Sequence, residues 1–410
     1  MIIEIPAVAQ KIINMIETNG YQAYVVGGYV RDKLLGLSPF DCDITTSAKP
    51  NDILRIFNEY PCIKNGIKHG TISVVIDKQV IDITTYRIEN GYQDRRHPDE
   101  VVFVSDLALD LKRRDFTINA LAYHPLRGLV DYYDGISDLN DSILRCIDDP
   151  YVRFDEDALR IIRALRFCAC YDFKIETNTH SALLTKISLL KDIAIERIVS
   201  EFLKALDGPY IKTVIIDYQP VWISLFDELA LISECWLTYQ LKVNYDRTQE
   251  LAVRLALFFY PLFAHDQIIF TQLLKRLRLP TKMIKQTSLI LKYHDHQIID
   301  KKTLKHLLRL VGLDITKMII AFNYCCLIFD KDQHDLFNHM IALILDNEIY
   351  QLKQLLIKGS DLQALINEKQ MIGIILDELL IEVIDDKLEN DHYKLLTRAS
   401  QIYQEKNNAK

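Results

Sequence analysis

The chain has 410 residues, 49% of them hydrophobic, and a formal net charge of −7. Such a length holds a sizeable core and roughly two to four domains, and the composition excludes a disordered or fibrous chain. The acidic balance excludes a protein that coats nucleic acid through bulk charge and leaves only local basic patches for such contact.

Sixteen of the 24 glycines and prolines fall in residues 1–150, so the first third is predicted to be turn-rich and the rest mostly helical. The eight cysteines form no CxxC pair with metal-ligand spacing and most sit among apolar residues, the pattern of reduced core residues in a cytosolic protein. Glu4 and the lack of a basic n-region argue against an export signal, and the longest uncharged apolar stretches, 255–264 and 318–329, are too short to span a bilayer. A cytoplasmic protein without a membrane anchor is expected.

In chain order, residues 6–17 have helical periodicity, and 21–26 read as a short buried strand closed by Gly27 and Gly28. A helix is expected to follow, through Leu35. Strands are predicted at 41–45, 71–76, 80–86 and 101–104, together forming one mixed sheet. From about Asp155 the apolar period changes from 2 to 3.6, with Ala158, Ile161, Ile162, Leu165, Cys168 and Ala169 on one helical face. Helical patterns continue to the end, with breaks at Gly208-Pro209, Pro220, Pro280, Gly312 and Gly359. No internal repeat is present.

Two constellations carry chemistry. In the first, a strand, the Gly27-Gly28 turn and a helix bearing Arg31 and Asp32 offer backbone N–H groups and a guanidinium to an anion. Alone this pattern favours a tight strand-to-helix turn with an Arg31–Asp32 surface ion pair. Asp41 and Asp43 follow, and on a strand i and i+2 share a face, so both carboxylates can hold divalent ions beside bound phosphates. Two hard oxygen ligands plus triphosphate oxygens suit Mg²⁺. Asp82, inside an apolar run, is either a third metal ligand, the base for an attacking hydroxyl, or an edge-strand aspartate.

In the second constellation, 112–121 combines charges with half-buried residues, and residues 155–160 open the first long helix, with Arg163 and Arg166 continuing at three-residue steps. Pairs such as Glu156 with Arg160 are ordinary surface ion pairs worth roughly 0.2–0.5 kcal/mol each. The sharper reading is that Asp157 and Arg160, side by side, accept from an exocyclic amine and donate to the adjacent ring nitrogen. Cytosine and adenine present that pair and uracil and guanine do not, so such a site takes CTP and ATP without a template.

These motifs together, GGYVRD at 27–32, the Asp41/Asp43 pair, RRDFTINAL at 113–121 and EDALRIIRALRF at 156–167, resemble the class II tRNA nucleotidyltransferase and bacterial poly(A) polymerase family. Residues 68–71 (KHGT), 92–98 (YQDRRHP), 196–198 (ERI) and 359–362 (GSDL) are similar to its bacterial CCA-adding branch, so the likeness covers nearly the whole chain. The resemblance implies an α+β head at 1–150 with a polymerase-β-like nucleotidyltransferase mixed sheet, followed by an all-α neck at 151–208, body at 209–311 and tRNA-binding tail at 312–410. It further implies that Asp41 and Asp43 bind Mg²⁺, that Gly28, Arg31 and Arg114 contact the nucleotide, that Asp157 and Arg160 read the base, and that Arg163 and Arg166 help hold the nucleotide. Asp82 stands where a glutamate is common in the family, and the order DRRHP differs from the frequent RRP.

The implied activity is addition of C, C and A to the 3′ end of tRNA from CTP and ATP. Rivals are a poly(A) polymerase, a CC-adding or A-adding enzyme, and, from another class, a non-catalytic helical RNA-binding protein. Poly(A) polymerases of the family tend to carry extra basic terminal segments, whereas here the glycine motif begins after 26 residues and the end, 404–410, is short and polar. CC-adding enzymes lack part of the loop that contains 92–98, which is full length here. Both features favour the complete three-nucleotide reaction. His265-Asp266 and His294-Asp295 are similar to the dipeptide of metal phosphohydrolases but lack further ligands at suitable places. Basic clusters at 275–285 and at 301–309 are expected either to contact tRNA phosphates or to be solvated helix faces.

Overall fold

A computed structural model describes residues 2–39, 41–91, 100–363, 365–366 and 368–408. The 92–98 segment and the last two residues of the polar end lie outside them. The chain divides into two compact units, 1–233 and 234–410.

The first unit is built on a seven-stranded mixed sheet in the order β3-β4-β5-β2-β1-β8-β9. Its strands are β1 (Ala23–Val26), β2 (Asp43–Thr46), β3 (Cys62–Ile63), β4 (Thr71–Ile76), β5 (Gln79–Thr85), β8 (Leu121–His124) and β9 (Gly128–Asp131). β1 runs antiparallel to β2 and β8, while β2 and β5 are parallel. Two further strands, β6 (Arg87–Asn90) and β7 (Glu100–Phe103), form a separate antiparallel ribbon. The 101–104 strand is therefore outside the main sheet expected to contain it. β8 and β9 take its share of that sheet, a hairpin that the charged 112–121 run conceals at its apolar end.

Helices cover this sheet. α1 (Ala7–Thr18) buries Val8, Ala9, Ile12, Ile13 and Ile16, a stripe at helical spacing against the core. α2 (Gly28–Leu34), α3 (Pro50–Ile56), α4 (Leu107–Lys112) and α5 (Gly135–Asn140) complete the α+β part. α6 (Pro150–Glu156) starts with proline in the first turn and an Asp149 cap. α7 (Leu159–Tyr171) follows, and α9 (Ile195–Asp207), after α8 (Thr177–Lys186), packs along it. The single helix predicted from 155 is thus two helices. Asp157 adopts extended backbone (φ −142°, ψ 99°), and its Oδ1 accepts from the Leu159 N–H at 3.1 Å. An aspartate that caps the next helix cannot also continue the previous one.

The second unit is helical throughout its regular structure. Helices Leu251–His265, Thr281–Tyr293 and Leu313–Cys325 pack on one another, and Lys369–Ile384 packs with His392–Asn408 around Ile375, Leu379, Leu395 and Ala399. The expected breaks at Pro280, Gly312 and Gly359 are helix boundaries. Among the described residues no helix is long and apolar enough to cross a membrane. All eight cysteines are free.

Candidate active site

β1 and β2 bring the first constellation together. Val26 lies opposite Asp43, so the chain leaves β1 at Gly27 directly beside that carboxylate. Gly27 has φ +69°, a backbone conformation that favours glycine, and a Cβ there would press on Arg114 Nη1 at 2.8 Å, the movable end of that side chain. The next parallel strand adds the third acid. Ile44 is level with Ile83, which sets Asp43 and Asp82 side by side one step earlier, on the face opposite the buried isoleucines. Burial, then the charge of Asp82, push the Asp43 carboxyl above its ordinary pKa, with Arg114 opposing and Asp41 adding to the rise.

A cavity of about 690 Å³ opens from this point. It is lined by Gly28, Arg31, Asp43, Arg114, Asp157, Arg160, Arg163 and Arg166, eight of the ten residues singled out from the sequence. Asp41 precedes β2 and lies in the wall of a neighbouring cavity of about 460 Å³, while Asp82 is exposed on β5. Among the described residues no three His, Cys, Asp or Glu side chains are grouped closely enough to hold a metal by themselves.

The arginines of the cavity are held by acids. Arg31 pairs with Asp32 at 2.7 Å, donates to Asn119 Oδ1 at 2.5 Å, and lies over the Phe167 and Tyr171 rings. Arg163 pairs with the buried Asp115 at 2.6 Å, and Arg166 with Glu201 at 3.1 Å. Burial alone would raise the Asp115 carboxyl, but Arg163 and the Asn119 and Arg163 hydrogen bonds hold it well below the usual carboxylate range. Arg114 differs. Among the described residues its ion-pair partner is Asp110, 3.6 Å away, and its buried Nε has no hydrogen-bond partner; burial lowers its pKa.

Asp157 and Arg160 both face the cavity but are not paired with each other. Asp157 Oδ2 accepts from Arg197 Nη2 at 3.1 Å, and Arg160 pairs with Glu156 at 3.0 Å while donating to the Arg113 carbonyl at 3.1 Å. Arg197, on α9, also lines the cavity, and its buried Nη1 has no hydrogen-bond partner among the described residues. Among the described residues, two buried guanidinium nitrogens of cavity-lining arginines thus lack a hydrogen-bond partner.

Several supporting residues escaped the sequence reading. Asp110 on α4 is fully buried and accepts from Thr45 Oγ1 (3.0 Å), the Arg87 N–H (3.3 Å) and Arg113 Nε (3.0 Å), joining β2, the β6–β7 ribbon and the two arginines that follow α4. Burial alone would raise this carboxyl too, yet Arg113 and Arg114 keep it below its ordinary pKa. Asn119 joins Arg31 to Asp115. Asn119 lies in the 112–121 run whose charges look half buried, but Asp110 precedes that run, and which charges pair across the fold is not written in spacing.

Comparison with known proteins agrees with this architecture. Residues 23–145 match the family described as "Poly A polymerase head domain", and 172–217 match "Probable RNA and SrmB- binding site of polymerase A". The CCA-adding enzyme of Ligilactobacillus salivarius is 35% identical over 413 residues, with 97% of each chain covered. The chain belongs to the CCA-adding enzyme family. Membership places it among the tRNA nucleotidyltransferases.

Another CCA-adding enzyme, from Enterococcus faecalis, is 46% identical over 220 residues, a match that spans 52% of this chain and 54% of that one. Among solved structures, the Bacillus stearothermophilus CCA-adding enzyme in complex with CTP superposes with a TM-score of 0.82 at 26% identity, covering 99% of this chain and 100% of that chain. The Thermotoga maritima CCA-adding enzyme complexed with tRNA shares the fold, with a TM-score of 0.65 at 22% identity, covering 96% of this chain and 94% of that one. The mixed-sheet head and helical remainder are the fold of this family.

In the second unit, the cations of helix Lys301–Val311 are taken up internally. Lys301 and Lys305 pair with Glu348, Lys302 with Asp386, His306 with Asp385 and Arg309 with Asp377. Lys282 and Lys285, on helix Thr281–Tyr293, make no ion pair among the described residues and are exposed. Of the two histidine–aspartate dipeptides, Asp266 caps helix Gln267–Arg276, and His294 Nδ1 lies 2.7 Å from the Leu291 carbonyl.

Proposed function

We propose that this member of the family adds C, C and A to the 3′ end of tRNA from CTP and ATP, without a template, by nucleotidyl transfer supported by two metal ions. One observation carries the reading: a single cavity unites the Gly27-Gly28 turn, Asp43 and Arg114 with Asp157 and Arg160. Its two ends suit a triphosphate and a base.

Asp41 and Asp43 are the residues to hold Mg²⁺. The fit is physical, because desolvation, then Asp82 and Asp41, disfavour the charged form of Asp43 against the pull of Arg114, and a cation bound there would favour it. With no self-sufficient three-residue cage among the described residues, the remaining ligands come from phosphate oxygens and water, the habit of Mg²⁺. When bound, the metal supplies charge neutralisation on the phosphates and activation of the attacking oxygen.

The other roles belong to the chain itself. Arg114, the loosely paired arginine, binds phosphate, and Gly28 lets the triphosphate approach the backbone. Arg31 is fixed beside that turn by Asp32, Asn119 and two rings. Asp157 accepts from the exocyclic amine of cytosine or adenine and Arg160 donates to the ring nitrogen, both braced by ion pairs with Arg197 and Glu156. Arg163 and Arg166 hold the sugar and phosphate side of the nucleotide, and Asp82 is placed beside Asp43 to take the proton of the acceptor 3′ hydroxyl.

The test is incubation with tRNA that lacks its terminal CCA, offered each nucleoside triphosphate singly and then CTP with ATP. Two cytidines from CTP alone and a stop after one adenosine with both are expected. A long adenosine ladder, or arrest at CC with ATP present, would overturn the reading.

A further inference from the structure

The face of α7 that supplies arginines to the cavity runs on to the end of the helix. Arg163, Phe167 and Tyr171 follow one another at four-residue steps and so form one line along it. Asp172 then takes left-handed backbone (φ 59°), which ends α7 and turns the chain so that Phe173 stacks on Tyr171 with ring centres 5.6 Å apart. Phe167 lies in the cavity wall, and Tyr171 stands behind it. From this line we propose that Tyr171 is a positioning residue for the triphosphate, its hydroxyl fixing Arg31 at the glycine turn and tying the helix that carries Arg160 to the phosphate end of the cavity. The proposal rests on the nucleotidyl-transfer reading given above, in which Arg31 meets the nucleotide.

The contacts are those of an orienting group. Arg31 Nη2 donates to the Tyr171 hydroxyl oxygen at 2.9 Å, and that hydroxyl donates to Asp32 Oδ1 at 3.1 Å, so one phenol holds both members of an ion pair that lies 140 residues away in the chain from Arg31. Burial raises the phenol above its ordinary pKa against the charge of Arg31, so it keeps the proton that Asp32 accepts. The guanidinium carbon of Arg31 is 4.9 Å from the centre of this ring and 5.0 Å from that of Phe167. Phe167 thus gives Arg31 an equal aromatic surface without a hydroxyl, and packing alone gives no reason for the phenol.

Orientation matters because Arg31 is buried and its donors are directional. Nε is committed to Asp32 at 2.9 Å and Nη1 to Asn119 at 2.5 Å, and with the Tyr171 bond these fix the plane of the guanidinium. A Cβ on Gly28 would stand 3.5 Å from Nη2 and 3.9 Å from Nη1, so the guanidinium edge lies beside bare backbone at the cavity wall. A planar fork of donors binds phosphate oxygens more tightly when its plane is set in advance. Asp32 and Asn119 belong to the α+β part, whereas Tyr171 brings a hydrogen bond from α7, the helix of Arg160, Arg163 and Arg166. Base end and phosphate end are therefore joined by one rigid element.

Tyr171→Phe tests this, because it keeps both ring stacks and removes only the two hydrogen bonds. By equilibrium dialysis, the Kd for CTP and that for ATP should each rise about fivefold, in the range of one lost hydrogen bond to a charged group, while the ratio of CTP to UTP incorporated into tRNA stays within about twofold. Phe173→Leu, which weakens the same stack but takes no hydrogen bond from Arg31, should lower the thermal midpoint and leave both Kd values within about twofold. In an Arg31→Lys background, Tyr171→Phe should add less than about twofold, as expected of two residues that act as a unit. Unchanged Kd values in Tyr171→Phe, an equal rise in Phe173→Leu, or an undiminished rise in the Arg31→Lys background would each overturn the positioning role in an enzyme whose parent completes CCA. A parent that adds no nucleotide to tRNA would overturn the function on which it rests.

Discussion

Asp43 is the residue at which crowded charge meets the proposed metal chemistry. Its carboxyl is raised above the ordinary value by burial first and by Asp82 second, so it takes up a proton at a higher pH than a free aspartate as the solution is acidified. Protons and metal compete for the same oxygens, so the acid limb of nucleotide addition should lie above the usual carboxylate range and move to lower pH as Mg²⁺ is increased. Asp82→Asn, which removes one repelling charge, should move that limb to lower pH even as the rate falls. Initial rates across pH at two metal concentrations read both effects, and a limb insensitive to metal would count against Asp43 as ligand. Asp115 has the opposite sign. Its folded carboxyl is depressed, so its contribution to stability is present above the unfolded pKa and is lost as pH falls through that value toward the folded one. Removing one partner of a buried pair costs about 3 kcal/mol at the lower end of the usual range. Asp115→Ala should therefore lower the urea midpoint at pH 7, by an amount that shrinks below about pH 4, where the unfolded chain's carboxylates begin to protonate.

At the scale of elements, the decisive feature is the break between α6 and α7. A continuous helix would set Asp157 one turn from Arg160 on a single surface, but the break frees the Asp157 carboxylate to cap α7 with one oxygen and meet Arg197 of α9 with the other. Arg197 braces the carboxylate proposed to read the base, so Arg197→Ala should reduce the preference for CTP over UTP about tenfold, equal to roughly 1.4 kcal/mol, with a smaller effect on triphosphate affinity. Competition between labelled CTP and UTP measures it, and an unchanged ratio would reduce Arg197 to a helix-packing residue. Arg160→Ala should relax the same ratio at least as far. The glycine turn, the Asp43 position, β4 and β5, and the change to helical period near 155 were legible because each depends on local pattern. The α6–α7 break was not, since the helical apolar stripe runs on past it and only a capping carboxylate interrupts the backbone. Nor were β8 and the Asp110 hub, because a short buried strand next to RRD looks like the tail of a charged helix, and Asp110 gains its partners from β2 and the β6–β7 ribbon.

For the whole molecule, charge raises the sharpest question, since a chain of net charge −7 is proposed to bind a polyanion. Its cations must be concentrated where acids do not cancel them, and the structure separates two kinds. Those on helix Lys301–Val311 are tied to Glu348, Asp377, Asp385 and Asp386 within the second unit, so their electrostatic reach is short and their worth is mainly to hold that helix against its neighbours. Lys282 and Lys285 are exposed without ion pairs among the described residues and stand beside a cavity of about 290 Å³ formed with the start of helix Leu313–Cys325. Phosphate contact releases condensed counterions, which gives binding a salt dependence set by the number of phosphates neutralised. The affinity for tRNA should therefore fall steeply with salt despite the acidic chain. Lys282→Gln with Lys285→Gln should lower the affinity and reduce the slope of log K against log salt by about one to two, as expected for one or two lost phosphate contacts. Lys301→Gln with Lys302→Gln should leave the slope unchanged and act on thermal stability instead. Filter binding at four salt concentrations separates the two pairs. A flat dependence for the parent would remove electrostatic docking, and a loss of slope from the Lys301 pair alone would assign the contact to the helix whose charges are now spoken for.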